Sequence, residues 1–346
     1  MNWNIVRENA HRHVNKIWYV LTATLLIATL PAASAQYTPD GFNLYTIRHD
    51  TVVGGVYVDG GHGVGTSPYT EVFEDVPPDH LFTYLYVGVK GGTKEATGWV
   101  SVVFNGHDLG TITLMGLNDT NPDVYCSGNG EYWIHYDVAA YTNGGNDNTV
   151  TITTGGKIDG RVKGTTLVAI YSDSAETSKE YWICEGNINL NYRTEHNSET
   201  VSFERMFGSS GDIKSAKLWT MYLSGNEGVN DTLSFNSHLI AEDAADGGCI
   251  EGGAYVWRDL CFDLDSRDVT EYIQPQNTMT YDRKIDGYLQ PVGAVLIVEH
   301  NEMVPAPSSG STESIPELPL KSTPGFGSLL AILTIIASII VARGLP

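Results

Sequence analysis

Positive charge is scarce in this sequence. Its 346 residues contain 20 Lys and Arg against 41 Asp and Glu, which gives a formal net charge of −21. Nucleic-acid binding requires a basic surface, so this balance excludes nucleic acid as a partner. Divalent cations are suitable counterions for such a chain, and the plainer interpretation is a well-solvated acidic surface.

Motifs for catalysis are also missing from the sequence. It contains no Gly-x-Ser-x-Gly segment and no Gly-rich phosphate loop with its following Lys. The stretch 60–65 resembles such a loop, but it lacks the Lys and the helix that would bind an anion, so we expect an ordinary loop there. We therefore predict a protein that is not an enzyme, and we rank an extracellular hydrolase last among the functions considered.

Cysteine is rare, and its spacing argues against a zinc site. The four cysteines contain no C-x-x-C pair, and their even number is typical of disulfides in an oxidising compartment. Cys249 and Cys261 are close in sequence, so a local bridge between them is the first choice. A Cys126–Cys184 bridge follows by elimination.

Helical periodicity is lacking between the two ends of the chain. Short alternating segments rich in Thr, Val and Tyr predict β-strands, for example 101–104, 149–153 and 166–171. Asn105-Gly106 and the run 143–145 predict turns between strands. The pattern therefore predicts an all-β, antiparallel chain.

The N-terminus has the segments of a secretory signal peptide in their usual order. Arg7, Arg12 and Lys16 precede an apolar run over 17–30, and the Ala33-Ser34-Ala35 segment follows as a cleavage site, so we expect a mature start near residue 36. An uncleaved signal anchor is the alternative.

The C-terminus has a second apolar segment. Pro324 and Gly325 come directly before a run without charge or proline that extends from Phe326 to residue 342, and Arg343 follows. At about 1.5 Å per residue, 17 residues of helix just span a hydrocarbon core about 30 Å thick. The order of parts resembles the C-terminal sorting signal of archaeal surface proteins, in which the helix is removed and a lipid is attached. A plain single-span anchor is the alternative.

The residues before this helix are rich in Pro, Ser, Thr and Glu and predict an extended, unfolded stalk over 302–323. The chain also contains two N-glycosylation sequons, at Asn118 and Asn230. We therefore expect a glycoprotein held on the outer side of the cell membrane, with the membrane and envelope proteins or glycans as partners.

The region between the two ends contains an internal sequence repeat. Short segments recur in the same order about 130 positions later, which predicts two copies of one β-sandwich. The matched segments are 72–74 with 202–204, 101–107 with 232–238, and 137–138 with 268–269. The predicted domains are a signal peptide (1–35), two sandwiches (36–186 and 187–301), the stalk (302–323) and the sorting signal with its transmembrane helix (324–346). A jelly-roll-like topology is left open.

Five short segments carry a family resemblance. The duplicated Phe-Asn strand ends (104–105 and 235–236), the run Tyr-Trp-x-x-Tyr-Asp-Val over 132–138, and the runs 167–171 and 181–186 resemble cell-surface proteins of methanogenic archaea. The resemblance covers most of residues 45–300. It implies a β-rich exported module, often joined to the same sorting tail, and no enzymatic activity. The second copy departs more from the pattern, because it carries the Cys249–Cys261 insertion.

Metal binding has weak support in the sequence. His107 and His238 occupy equivalent repeat positions after turns, and exposed hairpin histidines explain them better than a metal site does. The stretches 143–148 and 263–268 carry oxygen ligands that suit Ca²⁺, although neither matches an EF-hand loop. We therefore predict no cofactor, with Ca²⁺ as the one alternative.

The function predicted from these features is a structural or adhesive role in the cell envelope. The alternative is a carbohydrate-binding module that stacks exposed aromatic rings on sugars. The residues considered for this role are Trp99, Trp133, Trp219 and Trp257. Their positions within strands favour the core for all four. We also expect Trp182 to be buried, where the two copies meet.

Overall fold

The computed structural model describes residues 37–301, except 63–66, 122, 159, 209–211, 226–229 and 246–261. The described part is built of antiparallel β-strands and three short 3₁₀ turns, as the sequence predicts. The strands are β1 (Gly41–His62), β2 (Tyr69–Val76), β3 (His80–Lys90), β4 (Gly98–Phe104), β5 (His107–Leu114), β6 (Val124–Ser127), β7 (Glu131–Asp137), β8 (Asn146–Gly156), β9 (Val162–Ser172), β10 (Ser178–Ile188), β11 (Leu190–Asn191), β12 (Ser198–Ser202), β13 (Ile213–Ser224), β14 (Thr232–Phe235), β15 (His238–Glu242), β16 (Asp263–Asp268), β17 (Thr278–Asp282) and β18 (Tyr288–His300).

Alternation of side chains explains the outer strands. In β8, Val150 and Ile152 are fully buried, while Thr149, Thr151 and Thr153 between them are partly exposed. Successive side chains of a strand point to opposite faces, so β8 has one apolar inner face and one hydroxyl-rich outer face. The strands β9 and β10, by contrast, are buried over almost their whole length. They lie at the centre of a sheet that is covered on both sides.

Three sheets form two sandwiches. The largest has ten strands in the order β16-β13-β18-β10-β1-β9-β3-β7-β6, with β11 added beside β18. A four-stranded sheet, β2-β8-β4-β5, packs on one half of it, and β12-β17-β14-β15 packs on the other. Each four-stranded sheet shares a separate hydrophobic core with its half of the large sheet. This packing of two apolar sheet faces is the sandwich arrangement.

Strand β1 belongs to both halves. Residues 41–53 pair with β10, and residues 54–62 pair with β9, within one 22-residue strand. The change of partner occurs at Gly54, whose φ is +146° and whose Cβ, if present, would lie 2.1 Å from the carbonyl oxygen of Tyr171. Only glycine tolerates this conformation and this contact. One continuous sheet therefore joins the two halves.

The pairings of the first half recur in the second. The set β2·β8, β4·β8 and β4·β5 corresponds to β12·β17, β14·β17 and β14·β15. In the large sheet, the set β3·β7, β3·β9 and β1·β9 corresponds to β13·β16, β13·β18 and β10·β18. The proposed domain boundary between residues 186 and 187 lies within β10, which pairs with β1 and β18. The domain limits stay predictions.

A third core lies where the two halves of the large sheet face each other. Its members include Trp133 from β7, Leu223 from β13 and Phe262 just before β16. The rings of Trp133 and Phe262 stack with their centroids 6.2 Å apart. Leu223 lies close to Gly88, where a Cβ would be 2.4 Å from its Cδ2. The two sandwiches are therefore packed against each other as well as joined through β1.

Two expectations are corrected by the structure. Cys126 and Cys184 are free, buried thiols in different cores, so the proposed bridge between them is not present. Burial raises the pKa of the Cys184 thiol to about 12, with smaller contributions from nearby groups. The expected loop over 60–65 is also wrong at its start, because residues 60–62 belong to β1 and pair with β9.

Several predicted features lie outside the described residues. They are the signal peptide with Ala33 and Ala35, the Cys249–Cys261 pair, the stalk, and the sorting signal at Pro324, Gly325 and Phe326. Within the part of the chain that the structure describes, no helix has the length and hydrophobicity to cross a membrane.

Candidate functional site

The tryptophans do not all lie in the core. Trp133 and Trp182 are fully buried, as expected, and Trp219 is partly buried. Trp257 lies outside the described residues. Trp99 is 38% exposed, so its expected burial is wrong. The reason is the alternation in β4, in which the neighbouring Val100 points inwards and Trp99 therefore points outwards.

Trp99 lies on the outer face of the β2-β8-β4-β5 sheet, opposite Gly155 of β8. A Cβ on Gly155 would be 2.3 Å from both Cε2 and Cζ2 of Trp99 and 2.6 Å from its Nε1. The indole therefore occupies the space that a side chain at position 155 would take. It lies over the backbone of β8 and keeps its other side towards solvent.

Rows of hydroxyl groups continue from this indole across the sheet. Cross-strand pairs place Thr113 beside Trp99, and Ser101 between Thr153 and Thr111. The Oγ1 atoms of Thr70 and Thr151 are 3.3 Å apart. The outer side chains of this area, which we call the Trp99 face, are Thr70, Val72, Trp99, Ser101, Val103, Thr111, Thr113, Thr149, Thr151 and Thr153.

None of the side chains of the Trp99 face carries a charge, although the whole chain has a formal net charge of −21. Exposed acidic side chains border the face at the end away from Trp99: Glu74 is two residues after Val72, and Asp108 pairs with Val103. The inner side chains of the same strands, such as Val102 and Ile152, are fully buried and hold the face rigid. The face is therefore neutral, firmly supported and rich in groups that both donate and accept hydrogen bonds.

The second half has a similar hydroxyl face without the indole. Thr200 and Thr280 correspond to Thr70 and Thr151, and their Oγ1 atoms are 2.9 Å apart. At the repeat offset, the position of Trp99 is taken by Asn230, the exposed residue of a predicted sequon. The other sequon residue, Asn118, is also exposed, at the end of a 3₁₀ turn.

The two repeat histidines share a surface arrangement. Both are exposed, and each imidazole stacks on a tyrosine: His107 on Tyr141 at 4.6 Å and His238 on Tyr272 at 4.5 Å between ring centroids. In the 143–148 stretch, the Asn148 side chain bonds to the backbone of Asn143. Among the described residues, no group of three or more His, Cys, Asp or Glu side chains is placed to hold a metal ion.

A buried carboxylate that the sequence pattern did not reveal ties three strands together. Glu180 of β10 is fully buried, with the imidazole of His49 at 2.7 Å and that of His300 at 3.3 Å. Burial alone would raise its pKa, but these imidazoles and the N–H groups of Phe207 and Gly208 outweigh burial and lower it to about 2. No spacing in the sequence brings residues 49, 180 and 300 together.

Comparison with known proteins assigns the chain to a family. The family described as "Protein of unknown function (DUF3344)" matches residues 36–299. The chain belongs to the DUF3344 family. No curated protein matches this DUF3344 chain.

Solved structures show only distant similarity. PNGase F, a glycosylasparaginase from Flavobacterium meningosepticum, has a TM-score of 0.26 at 9% identity, with 72% of this chain and 98% of that chain covered. BuGH86 in complex with neoagarooctaose has a TM-score of 0.26 at 9% identity, covering 78% and 35%. The ANX2 ectodomain from Arabidopsis thaliana has a TM-score of 0.24 at 9% identity, covering 74% and 89%. TM-scores this low establish neither a shared fold nor a shared ligand.

Proposed function

We propose that this DUF3344 protein is a non-enzymatic surface adhesin that binds neutral polysaccharide on the Trp99 face. The observation that carries the proposal is the indole of Trp99, which lies over Gly155 with one side open to solvent. An aromatic ring held in this way can stack on the C–H side of a pyranose ring. It is the exposed-ring geometry that distinguishes sugar binding from a purely structural role.

The rest of the Trp99 face supports the same ligand. Sugar hydroxyls donate and accept hydrogen bonds, as do the Ser and Thr hydroxyls beside the indole. Each such bond adds only about 0.5–1.5 kcal/mol, so binding depends on repetition along an extended chain. The absence of charge on these named side chains favours a neutral polysaccharide, since the net charge of −21 repels an anionic one.

We also propose that the protein acts outside the cell, exported and held by a membrane helix or a lipid. The support is in the sequence: the Ala33-Ser34-Ala35 segment after an apolar run, and Pro324-Gly325-Phe326 before another. Envelope glycans would be the binding partners in that location. The sequons at Asn118 and Asn230 fit the same location, because both Asn side chains are exposed.

Affinity electrophoresis in gels that contain a neutral glucan, a mannan or polygalacturonate tests the binding proposal. We expect retardation by a neutral polysaccharide and a loss of about tenfold in affinity for Trp99→Ala, since about 1.4 kcal/mol corresponds to tenfold. Leu81→Ala is the matched control, because Leu81 is a large exposed side chain outside the Trp99 face. Equal binding by both variants, or retardation by polygalacturonate alone, would overturn the proposal.

A structural role in the envelope is the second candidate, and one observation favours it. Strand β1 pairs within both halves, and the large sheet continues through both sandwiches. A purely structural protein of this kind should associate with other copies of itself when its concentration is high. Sedimentation velocity of the purified protein at rising concentration tests this, and a persistent monomer without polysaccharide binding would argue against both candidates.

A further inference from the structure

A second feature of the molecule is a polar pocket between the two sandwiches. Its wall comes from both halves, with Lys90 and Glu131 from the first, and Asn189, Tyr288 and Gln290 from the second. The pocket has a cavity volume of about 40 Å³ and opens to solvent, which suits the polar edge of a ligand rather than a whole ring. It is separate from the Trp99 face, which lies on the outer side of a different sheet.

The wall of the pocket offers fixed hydrogen-bond acceptors. The amide nitrogen of Gln290 donates to Ser127 Oγ at 2.8 Å and to Asn187 Oδ1 at 2.7 Å, which leaves the amide oxygen for other donors. The amide nitrogen of Asn189 likewise donates to the carbonyl oxygen of Pro39 at 2.7 Å. Both side chains are almost fully buried, so their oxygens are held in place before any ligand arrives.

Glu131 adds a carboxylate that can accept a further hydrogen bond. It is 3% exposed, and within the described part of the chain its Oε2 accepts no hydrogen bond. The Lys163 ammonium lies 3.3 Å from this Oε2, and the Lys90 ammonium lies 3.7 Å from Oε1. A carboxylate with two ammonium groups beside it does not attract a further cation, but it still accepts hydrogen bonds from neutral donors.

These groups match a neutral diol. The distance of 3.7 Å between Lys90 Nζ and Glu131 Oε1 is too long for a direct hydrogen bond. A hydroxyl group can accept from the ammonium and donate to the carboxylate, and a neighbouring hydroxyl can donate to an amide oxygen. Beside them, Tyr288 is partly buried and meets the exposed Tyr192 ring edge-to-face at 5.9 Å. The ring of Tyr288, which lines the pocket, supplies an apolar wall for the carbon skeleton of a ligand.

We propose that this pocket binds one terminal pyranose unit of a saccharide through its vicinal hydroxyl groups. The pocket would bind the end of a polysaccharide chain or a single sugar, whereas the Trp99 face would bind along the side of an extended chain. The two sites share no residue, so each can exist without the other. The inference therefore does not require the function proposed for the Trp99 face.

Saturation-transfer NMR on the full chain, with methyl glucopyranoside, mannopyranoside and galactopyranoside as probes, tests the proposal. We expect at least one probe to give a saturable signal with a millimolar dissociation constant, in line with a ligand this small. Two variants are informative: Lys90→Met removes the ammonium but keeps an unbranched side chain of similar length, and Tyr288→Ala removes the ring. We expect each variant to weaken binding at least fivefold.

The choice of controls separates the two sites. Trp99→Ala removes the indole on which a pyranose can stack, so the saturable methyl pyranoside signal that remains in this variant comes from the pocket, and adding Lys90→Met to it should weaken that signal; Lys90→Met alone should leave polysaccharide retardation unchanged. The proposal is overturned if no probe gives a saturable signal up to about 20 mM, well above a millimolar dissociation constant. It is also overturned if Lys90→Met, folded by circular dichroism, binds the probe as the parent protein does.

Discussion

Asp231 gives the sharpest quantitative prediction for this protein. Its side chain is fully buried, its Oδ1 accepts the N–H of Ala244 at 2.5 Å, and its Oδ2 accepts no hydrogen bond of good geometry from the described residues. The pKa of this carboxyl is raised from 3.8 to about 7, mainly by burial. The carboxylates of Asp286 and Asp243 also raise it, while the backbone N–H groups of Ala244 and Ala245 lower it.

The sign of the effect on stability follows from this direction. A carboxyl whose pKa is higher in the folded protein than in the unfolded chain binds its proton more tightly when folded. Stability is therefore greatest below about pH 4 for this group and is lost as the pH rises to about 7. A shift of about three units corresponds to roughly 4 kcal/mol at most, at about 1.4 kcal/mol per unit.

Asp231→Asn should therefore stabilise the folded protein at high pH. The amide keeps an acceptor for Ala244 and carries no charge, but its NH₂ group takes the place of Oδ2, where no good hydrogen-bond partner lies, and this costs about 1–3 kcal/mol. The expected net gain above pH 7 is on the order of 1–3 kcal/mol. Below pH 4 the gain should vanish or change sign, because the native carboxyl is then protonated and neutral.

Urea unfolding of the two proteins between pH 4 and pH 8.5 measures this difference. Comparing them at each pH cancels the contribution of other titrating groups, since both proteins contain them. A stability difference that stays constant from pH 4 to pH 8.5 would refute the reasoning, because a shifted carboxyl requires a pH-dependent one. A gain that grows between about pH 4 and pH 7 and then levels off would support it.

Four further predictions follow from named contacts. Gly155→Ala should push the Trp99 indole away from the sheet, because a Cβ at position 155 would be 2.3 Å from the ring. Polysaccharide binding should then fall although Trp99 itself is unchanged. Retardation in native gels measures the binding, and near-UV circular dichroism reports the environment of the indole. Gly54→Ala should destabilise the fold by about 2–4 kcal/mol in urea unfolding, owing to its φ of +146° and its contact with backbone; a loss below 0.5 kcal/mol would contradict this. Glu180→Gln should cost about 3–5 kcal/mol at pH 7, and the loss should shrink below about pH 4, as the native carboxylate becomes protonated towards its pKa of about 2. Cys184 should resist thiol reagents in the folded protein and react only on unfolding, since burial raises its pKa to about 12; rapid labelling of the native protein would argue against this.

Part of the fold can be predicted from the sequence because strand patterns are local. The expected strands at 101–104, 149–153 and 166–171 lie within β4, β8 and β9. The same local rule also predicts that the Trp99 side chain points outwards, because Val100 and Val102, at the alternate positions of β4, point inwards. The expectation of burial gave more weight to the hydrophobicity of the indole than to this alternation, and it was wrong for that reason.

Other features depend on contacts between distant residues. Nothing near Gly54 indicates that β1 changes partner there, because the partners are residues 172 and 178. The Glu180 cluster joins residues 49, 180 and 300, and the polar pocket between the two sandwiches brings Glu131 and Gln290 into one wall. The elimination argument for a Cys126–Cys184 bridge failed in the same way, since the two thiols lie in separate cores.

The sequence by itself determined the class of this protein: its scarcity of positive charge, its all-β pattern and the alternation of inner and outer side chains. These follow from composition and from the geometry of a strand, in which neighbouring side chains face opposite sides. The tertiary structure alone decided which faces became covered and which groups met. The Trp99 face stays open and the pocket forms because β1 joins two sandwiches that pack through a third core. Such packing depends on pairings across more than 100 residues, which no local pattern specifies.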